Sequence, residues 1–155
     1  MIIEAGCIGR DREVGEILER AAQLTQTSYL LVTGAAGIGK STLLRHVAQL
    51  APQQDLSIRT IDDADNLDAT ELTEVIGEND DAHLVLLTAT HETPALMSFL
   101  PDVMPLAGLD RDAVAALATA RARVVHPTVV DTLTHHTGGN PRDILSLLDE
   151  LPGRA

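Results

Sequence analysis

Gly34-Ala35-Ala36-Gly37-Ile38-Gly39-Lys40-Ser41 lies between the run Ser28–Thr33 (SYLLVT) and the stretch Lys40–Leu50 (KSTLLRHVAQL). The run before it is short and apolar and fits a strand buried on both faces. The stretch after it sets Leu43, Leu44, Val47 and Leu50 on one helical stripe and stops at Ala51-Pro52. The residues between satisfy G-x-x-x-x-G-K-[ST]. Glycines let the backbone turn with its N–H groups inward, a concave nest for phosphate oxygens. The helix that follows adds its positive N-terminal end. Lys40 supplies a mobile charge for β- and γ-phosphates, and the Ser41 hydroxyl can ligate Mg²⁺. Shuffling this composition would give the pattern roughly once in a thousand chains. The alternative, an ordinary glycine-rich turn, has the strand-then-helix context against it.

Outward from this loop the chain alternates strands and helices. Residues 11–24 place Val14, Ile17, Leu18, Ala21 and Ala22 at helical spacing, with Asp11 as the expected N-cap. Ser57–Ile61 (SIRTI) is a weak strand candidate, and residues 69–78 form a helix with Leu72, Val75 and Ile76 inward. His83–Thr88 (HLVLLT) is the second strong apolar strand. Val103–Leu106 is a short fourth strand whose Pro105 suits an edge. From Asp110 onward only helices are expected: one capped by Asp110, one opened by His126-Pro127 and closed by Gly138-Gly139, and one opened by Asn140-Pro141 and ended by Pro152-Gly153. Right-handed parallel crossovers follow, hence an α/β sheet covered on both faces. The expected division is an α/β core over residues 1–108 and a small C-terminal helical lid over 109–155.

The chain has 155 residues, 45% of them apolar, enough for one ordinary core. Its formal charge of −12 excludes an electrostatic footprint for nucleic acid. With Tyr29 and Phe99 as its only aromatics it lacks a base-stacking platform. One cysteine, Cys7, permits no internal disulfide or cysteine-based zinc site, and a reducing cytoplasm is the expected setting. Cys7 itself is expected to be a small thiol without a partner. No apolar run is long enough to span a bilayer, and Met1–Gly6 does not look like a signal peptide. Twelve of the 23 acids, and no Lys or Arg, fall between Thr60 and Asp110. That segment is either a solvated acidic face or, at Asp62-Asp63, in part a cation site.

An NTP site needs a metal partner opposite Ser41. In open α/β sheets ligands gather at the carboxyl ends of strands, where Asp62-Asp63 would lie. Asp62 would then accept from a metal-bound water and Asp63 orient an attacking water; the alternative is that both merely cap the next helix. The six histidines show no ligand spacing, and His135-His136 suit dipole compensation at a helix end. No Ser–His–Asp pattern or G-x-S-x-G elbow is present.

With these residues in view, the chain resembles the ATPase domain of the AAA+/STAND group of P-loop proteins, most of all that of large ATP-dependent LuxR-type transcriptional regulators. Cys7-Ile8-Gly9-Arg10-Asp11-Arg12-Glu13 looks like their opening hhGR-x-x-E box, which implies that Ile8, Gly9 and Arg10 lie against adenine. The resemblance makes Gly34, Ala35, Ala36, Gly37, Ile38, Gly39, Lys40, Ser41 and Thr42 the Walker A phosphate site. It makes Ile61–Asp68 the Walker B run, with Ser41 and Asp62 on Mg²⁺ and Asp63 catalytic. Leu86–Thr90 falls at sensor 1, where Thr90 or His91 would serve. His136-Thr137-Gly138-Gly139-Asn140-Pro141-Arg142 is similar to the TGGNP element of the lid. That likeness implies Pro141 near adenine and Arg142 as a sensor-2 arginine, the alternative being an exposed first-turn arginine.

The chain departs from the family in three places. Only 21 residues separate Lys40 from Asp62, so the second strand of the family's sheet is expected to be missing, leaving about four strands. Sensor 1 carries Thr or His where Asn or Arg is common, and the Walker B strand is unusually polar. The implied function is a Mg-ATP-binding P-loop domain, exchanging ATP and ADP as a regulatory switch with slow or no hydrolysis. The rivals are an active oligomeric AAA+ ATPase, with Arg111, Arg121 or Arg123 acting in trans, and a degenerate protein-interaction module that has lost nucleotide. The regulators' DNA-binding helix-turn-helix has no counterpart in these residues, so no direct nucleic-acid contact and no membrane contact is expected; self-association or a protein partner is.

Overall fold

The computed structural model describes residues 8–77, 82–121 and 125–150. Met1–Cys7, Glu78, Arg123 and Pro152-Gly153, to which the sequence assigned roles, lie outside them. Four strands, β1 (Ser28–Thr33), β2 (Ile58–Ile61), β3 (Leu84–Ala89) and β4 (Asp102–Pro105), form one sheet in the order β2-β3-β1-β4. All three pairings are parallel. Around the sheet lie α1 (Asp11–Ala22), α2 (Lys40–Leu50), α3 (Ala69–Ile76) and the single turn α4 (Pro94–Met97). The chain from β1 goes to one side of β3 and the chain from β3 to the other side of β1, the switch-point arrangement that opens a crevice at the strands' carboxyl ends.

The two central strands are apolar because helices cover both their faces. Leu30, Val32, Leu84 and Leu86 pack on α1 and α2 with Ile17, Leu43 and Val47. Leu31, Val85 and Leu87 pack on the opposite side with Leu72, Ile76 and Leu96. Burying one such side chain is worth about 1.5–3 kcal/mol. The edge strands differ. β4 is exposed at Asp102, Val103 and Pro105, so the proline sits on an edge as its missing N–H requires. In β2 only Ile61 is buried. Arg59 belongs there because its guanidinium reaches past the free edge and donates to the carbonyls of Val75 and Ile76 at the C-terminus of α3.

Four local expectations are corrected. Asp11 is the first residue of α1 rather than its cap; Arg10 holds the cap position and makes no side-chain cap bond, its guanidinium being bonded elsewhere. Ala22 is exposed, as is Val75 at 48%. The short α4, capped by Thr93, was not foreseen, since a four-residue turn is too short to show periodicity.

The remaining helices are α5 (Arg111–Ala120), α6 (Pro127–Thr137) and α7 (Pro141–Glu150). Asp110 caps α5 through the Ala113 N–H, His126 caps α6 through the Thr128 N–H, and Gly138 closes α6 in the left-handed conformation. They share a separate apolar cluster built on Val114, Leu117, Val130, Leu133, Ile144 and Leu148. A seam of backbone joins them to the chain leaving β4: the Leu109 N–H donates to Gly139 O at 2.8 Å. A Cβ on Gly108 would lie 1.7 Å from Gly138 O, so this contact admits only glycine.

Candidate functional site

The loop after β1 turns through Gly37 and Gly39 at φ +81° and +106°, which glycine alone adopts without strain. Its carbonyls are engaged one after another. Gly34 O and Ala35 O accept from Lys40 Nζ at 2.7 and 2.9 Å. Ala36 O accepts from Asn140 Nδ2 at 3.0 Å, and Gly37 O from the Arg142 N–H at 3.2 Å. Ile38 O accepts from Arg10 Nη2 at 2.9 Å, and Gly39 O from the Leu43 N–H as α2 begins. The Ile38 side chain is buried in the core beneath Gly34, so this residue serves the loop by its backbone. Burial pulls the Lys40 ammonium below its ordinary pKa; Asp63, Asp65 and Asp62 oppose this without cancelling it.

Opposite the loop, β2 delivers Asp62. Its Oδ2 accepts from Ser41 Oγ at 2.7 Å. Its Oδ1 accepts from Thr88 Oγ1 and from the Asp63 N–H at 3.1 Å. The Thr88 hydroxyl, on a residue 1% exposed, also accepts from the Asp63 N–H at 3.0 Å. Burial works to raise the Asp62 pKa, but the bonds from Thr88, Ser41 and the Asp63 N–H, with the charge of Arg45, hold it below the usual 3.8. Register explains the contact: Ile61 pairs with Leu87, so the next residues along, Asp62 and Thr88, meet at the strands' ends. Asp63 takes φ +50°, a left-handed position that Asp tolerates better than most side chains.

A cavity of about 460 Å³ opens between loop and lid. Ala36, Gly37, Gly39, Lys40, Ser41, Thr42 and Asp63 line one side; Pro141, Arg142 and Leu145 line the other. A Cβ on Gly37 would stand 2.6 Å from Arg142 Nε, so the arginine lies directly across the loop. Arg142 is thus both an exposed first-turn arginine and a wall of the cleft. Among the described residues no three His, Cys, Asp or Glu side chains form a metal cage. Mg²⁺ does not ask for one, since it takes one or two protein ligands beside the phosphates. The Ser41–Asp62 pair fits that requirement.

The predicted residues do not all converge. Lys40, Ser41, Thr42, Asp62, Asp63, Pro141 and Arg142 come together. Thr90 does not: it is exposed, and its N–H, like that of His91, donates to Asp65 Oδ2 at 3.2 Å. The polar group of β3 that meets Asp62 is Thr88, the last residue but one of the strand. Ile8 and Gly9 pack on the lid cluster, where a Cβ on Gly9 would stand 2.6 Å from Ala113 Cβ, and they do not line the cavity. Arg10 is 3% exposed and braces Ile38 O. In the sequence Thr88 has no role of its own within the run Leu86–Thr90, though it is a polar residue closing an apolar strand, and Asn140 has none beyond a helix start and membership of the TGGNP element.

Comparison with known proteins agrees with this geometry. A family model described as AAA ATPase domain matches residues 6–130. No curated protein matches the chain. Among solved structures, domain III of the Thermotoga maritima replication initiation protein DnaA superposes with a TM-score of 0.69 at 17% identity, over 92% of this chain and 82% of that one. AMPPCP-bound DnaA from Aquifex aeolicus gives 0.62 at 16%, over 96% of this chain and 63% of that one. A STAND protein with a tetratricopeptide repeat sensor from Pyrococcus horikoshii gives 0.61 at 16%, over 96% of this chain but 30% of that one. At these identities the likeness is one of fold, and the chain spans less than two thirds of the latter two. The parallel four-stranded sheet, the glycine loop with Lys40 and Ser41, and the match over most of the chain place this protein in the AAA ATPase domain family, as a P-loop nucleotide-binding domain.

Proposed function

We propose that this chain is a Mg-ATP-binding switch of STAND type, of the kind carried by LuxR-type regulators, with slow or no hydrolysis. The observation that carries the reading is the two-sided cleft, with Lys40 and Ser41 on the core wall and Pro141 and Arg142 on the lid wall. A ligand between core and lid touches both, so exchanging ATP for ADP alters what holds α5–α7 against the sheet. Phosphates would lie on residues 34–42, Mg²⁺ on Ser41 and the Asp62 side, and adenine toward Pro141 and Leu145 on the lid wall. Mg²⁺ would supply charge neutralisation at the β- and γ-oxygens. Residues 1–108 act as the binding core and 109–155 as the responding lid.

Asp63 could orient an attacking water, but it sits exposed at the end of an edge strand, with no buried network to fix its carboxylate. Turnover is therefore expected near the roughly 10⁻⁴–10⁻² per second of unassisted switch GTPases rather than the ~1–100 per second of kinases. The oligomeric-ATPase reading would draw on arginines such as Arg111 and Arg121, which pair at exposed positions with Asp131 and Asp149. The direct test is calorimetric titration with Mg-ATP of the protein and of Lys40→Ala. Binding by the first and weak binding by the second supports the reading; equal binding by both, or none by either, sinks it.

A further inference from the structure

We propose that Asn140 is a positioning residue for the nucleotide's phosphates: by holding the Ala36 carbonyl it fixes the Ala36–Gly37 peptide plane and so links lid docking to phosphate affinity. This rests on the nucleotide-binding reading above and goes beyond it, in naming the bond that couples the two parts.

Asn140 is 9% exposed, and its two side-chain polar atoms face two different partners. Oδ1 accepts from the N–H groups of Arg142 and Asp143 at 3.1 and 3.4 Å, capping α7. Nδ2 donates across the cleft to Ala36 O at 3.0 Å, joining residues 104 positions apart. Rotating the amide by half a turn would set oxygen against carbonyl and NH₂ against two N–H groups, so the network admits one orientation. One side chain therefore both starts the lid's last helix and grips the phosphate loop.

The grip matters because of what a peptide plane does. In a trans peptide the carbonyl and the following N–H point in opposite directions. Holding the Ala36 carbonyl toward the lid turns the Gly37 N–H away from it. Gly37 has no Cβ, so without that bond the plane is among the freest in the loop. Anion nests work only when their N–H groups converge, and ordering a loose loop at the moment of binding subtracts from affinity. The next carbonyl, Gly37 O, is held by the Arg142 N–H, which itself depends on Asn140 for its place in the helix cap. Lid and loop are in this way one hydrogen-bonded unit, and a ligand that favours one arrangement of the loop favours one docking of the lid. Linkage then requires the reverse effect, of lid on ligand, to be of equal size.

Asn140→Asp and Asn140→Ser separate positioning from mere support of the helix. Asp and Ser are both good N-caps, so α7 keeps its start. Asp sets a carboxylate against the Ala36 carbonyl, and the Ser hydroxyl is too short to span the gap. The measurements are Mg-ADP affinity by calorimetry, melting temperature without ligand, and amide exchange in α7 with and without saturating Mg-ADP. The expected result is affinity about tenfold weaker in both variants, a ligand-free melting temperature close to that of the unaltered protein, and protection of α7 by Mg-ADP that is present in the unaltered protein and much reduced in the variants. Should Asn140→Asp fail to fold, Asn140→Ser carries the test alone. Variants that bind Mg-ADP within twofold of the unaltered protein overturn the positioning role while leaving nucleotide binding intact. An unaltered protein that binds no Mg-ADP overturns both.

Discussion

The two walls of the cleft's core side are built to different standards. The phosphate loop grows from β1, which lies between β3 and β4 with Leu30, Leu31 and Val32 almost wholly buried. Its carbonyls are held by Lys40, by the lid and by Arg10. The aspartates grow from β2, an edge strand of four residues with one buried, and both carboxyl residues are exposed. A central strand is fixed on two sides and two faces; an edge strand is fixed on one side. The rigidity thus lies with the glycine loop rather than with the aspartates, and this contrast supports the proposed switch over a fast catalyst.

This contrast can be broken most severely through stability. Leu31→Ala on β1 should lose about 2–5 kcal/mol in urea unfolding, whereas Ile58→Ala on β2, half-buried, should lose well under half as much. Equal losses would erase the distinction between centre and edge. Next in size, Lys40→Ala should weaken Mg-ATP binding roughly ten- to a hundredfold, the worth of a hydrogen bond to a charged group, while Asp63→Asn should change binding less than threefold or so because it faces water.

Smaller again is Thr88→Val, which keeps the volume and removes the hydroxyl that meets Asp62 and the Asp63 N–H; a loss of about 1–2 kcal/mol is expected. Its sharper signature is in acid. Asp62 is depressed in the folded state, so its contribution is present above the ordinary carboxylate pKa and is lost as pH falls through the folded value. Melting temperature should therefore fall as pH drops below the ordinary carboxylate value toward the lower folded one, and less steeply in Thr88→Val, which lacks the hydrogen bond that holds Asp62 down. Least of all, Thr90→Ala should leave melting temperature and Mg-ATP affinity unchanged within error. A large effect there would give Thr90 a part in binding that its exposed position does not suggest.

Much of this was legible beforehand. The strands β1 and β3 and the helix α2 stand where apolar runs and the stripe Leu43, Leu44, Val47 and Leu50 put them, because a strand buried on both faces must be apolar throughout. Glycine at a positive φ beside Lys40 is a local requirement, so the phosphate loop could be read as a string. Arg59 looked wrong for a strand only because its partners, the Val75 and Ile76 carbonyls, belong to a helix end that no local pattern brings near. Thr90 looked right for a sensor, yet the register that pairs Ile61 with Leu87 brings Thr88 to Asp62.

By itself, then, the sequence determined the alternation of elements, the phosphate loop, and Lys40 and Ser41 as its chemistry, all of which follow from contacts within a few residues and from the period of apolar side chains. Tertiary structure alone decided that β2 is an edge, that Thr88 rather than Thr90 meets Asp62, that Arg10 braces the loop from below and that Asn140 grips it from the lid. Those bonds join residues between 26 and 104 positions apart. Their partners are chosen by strand register and by the docking of the lid, and neither is written in local spacing.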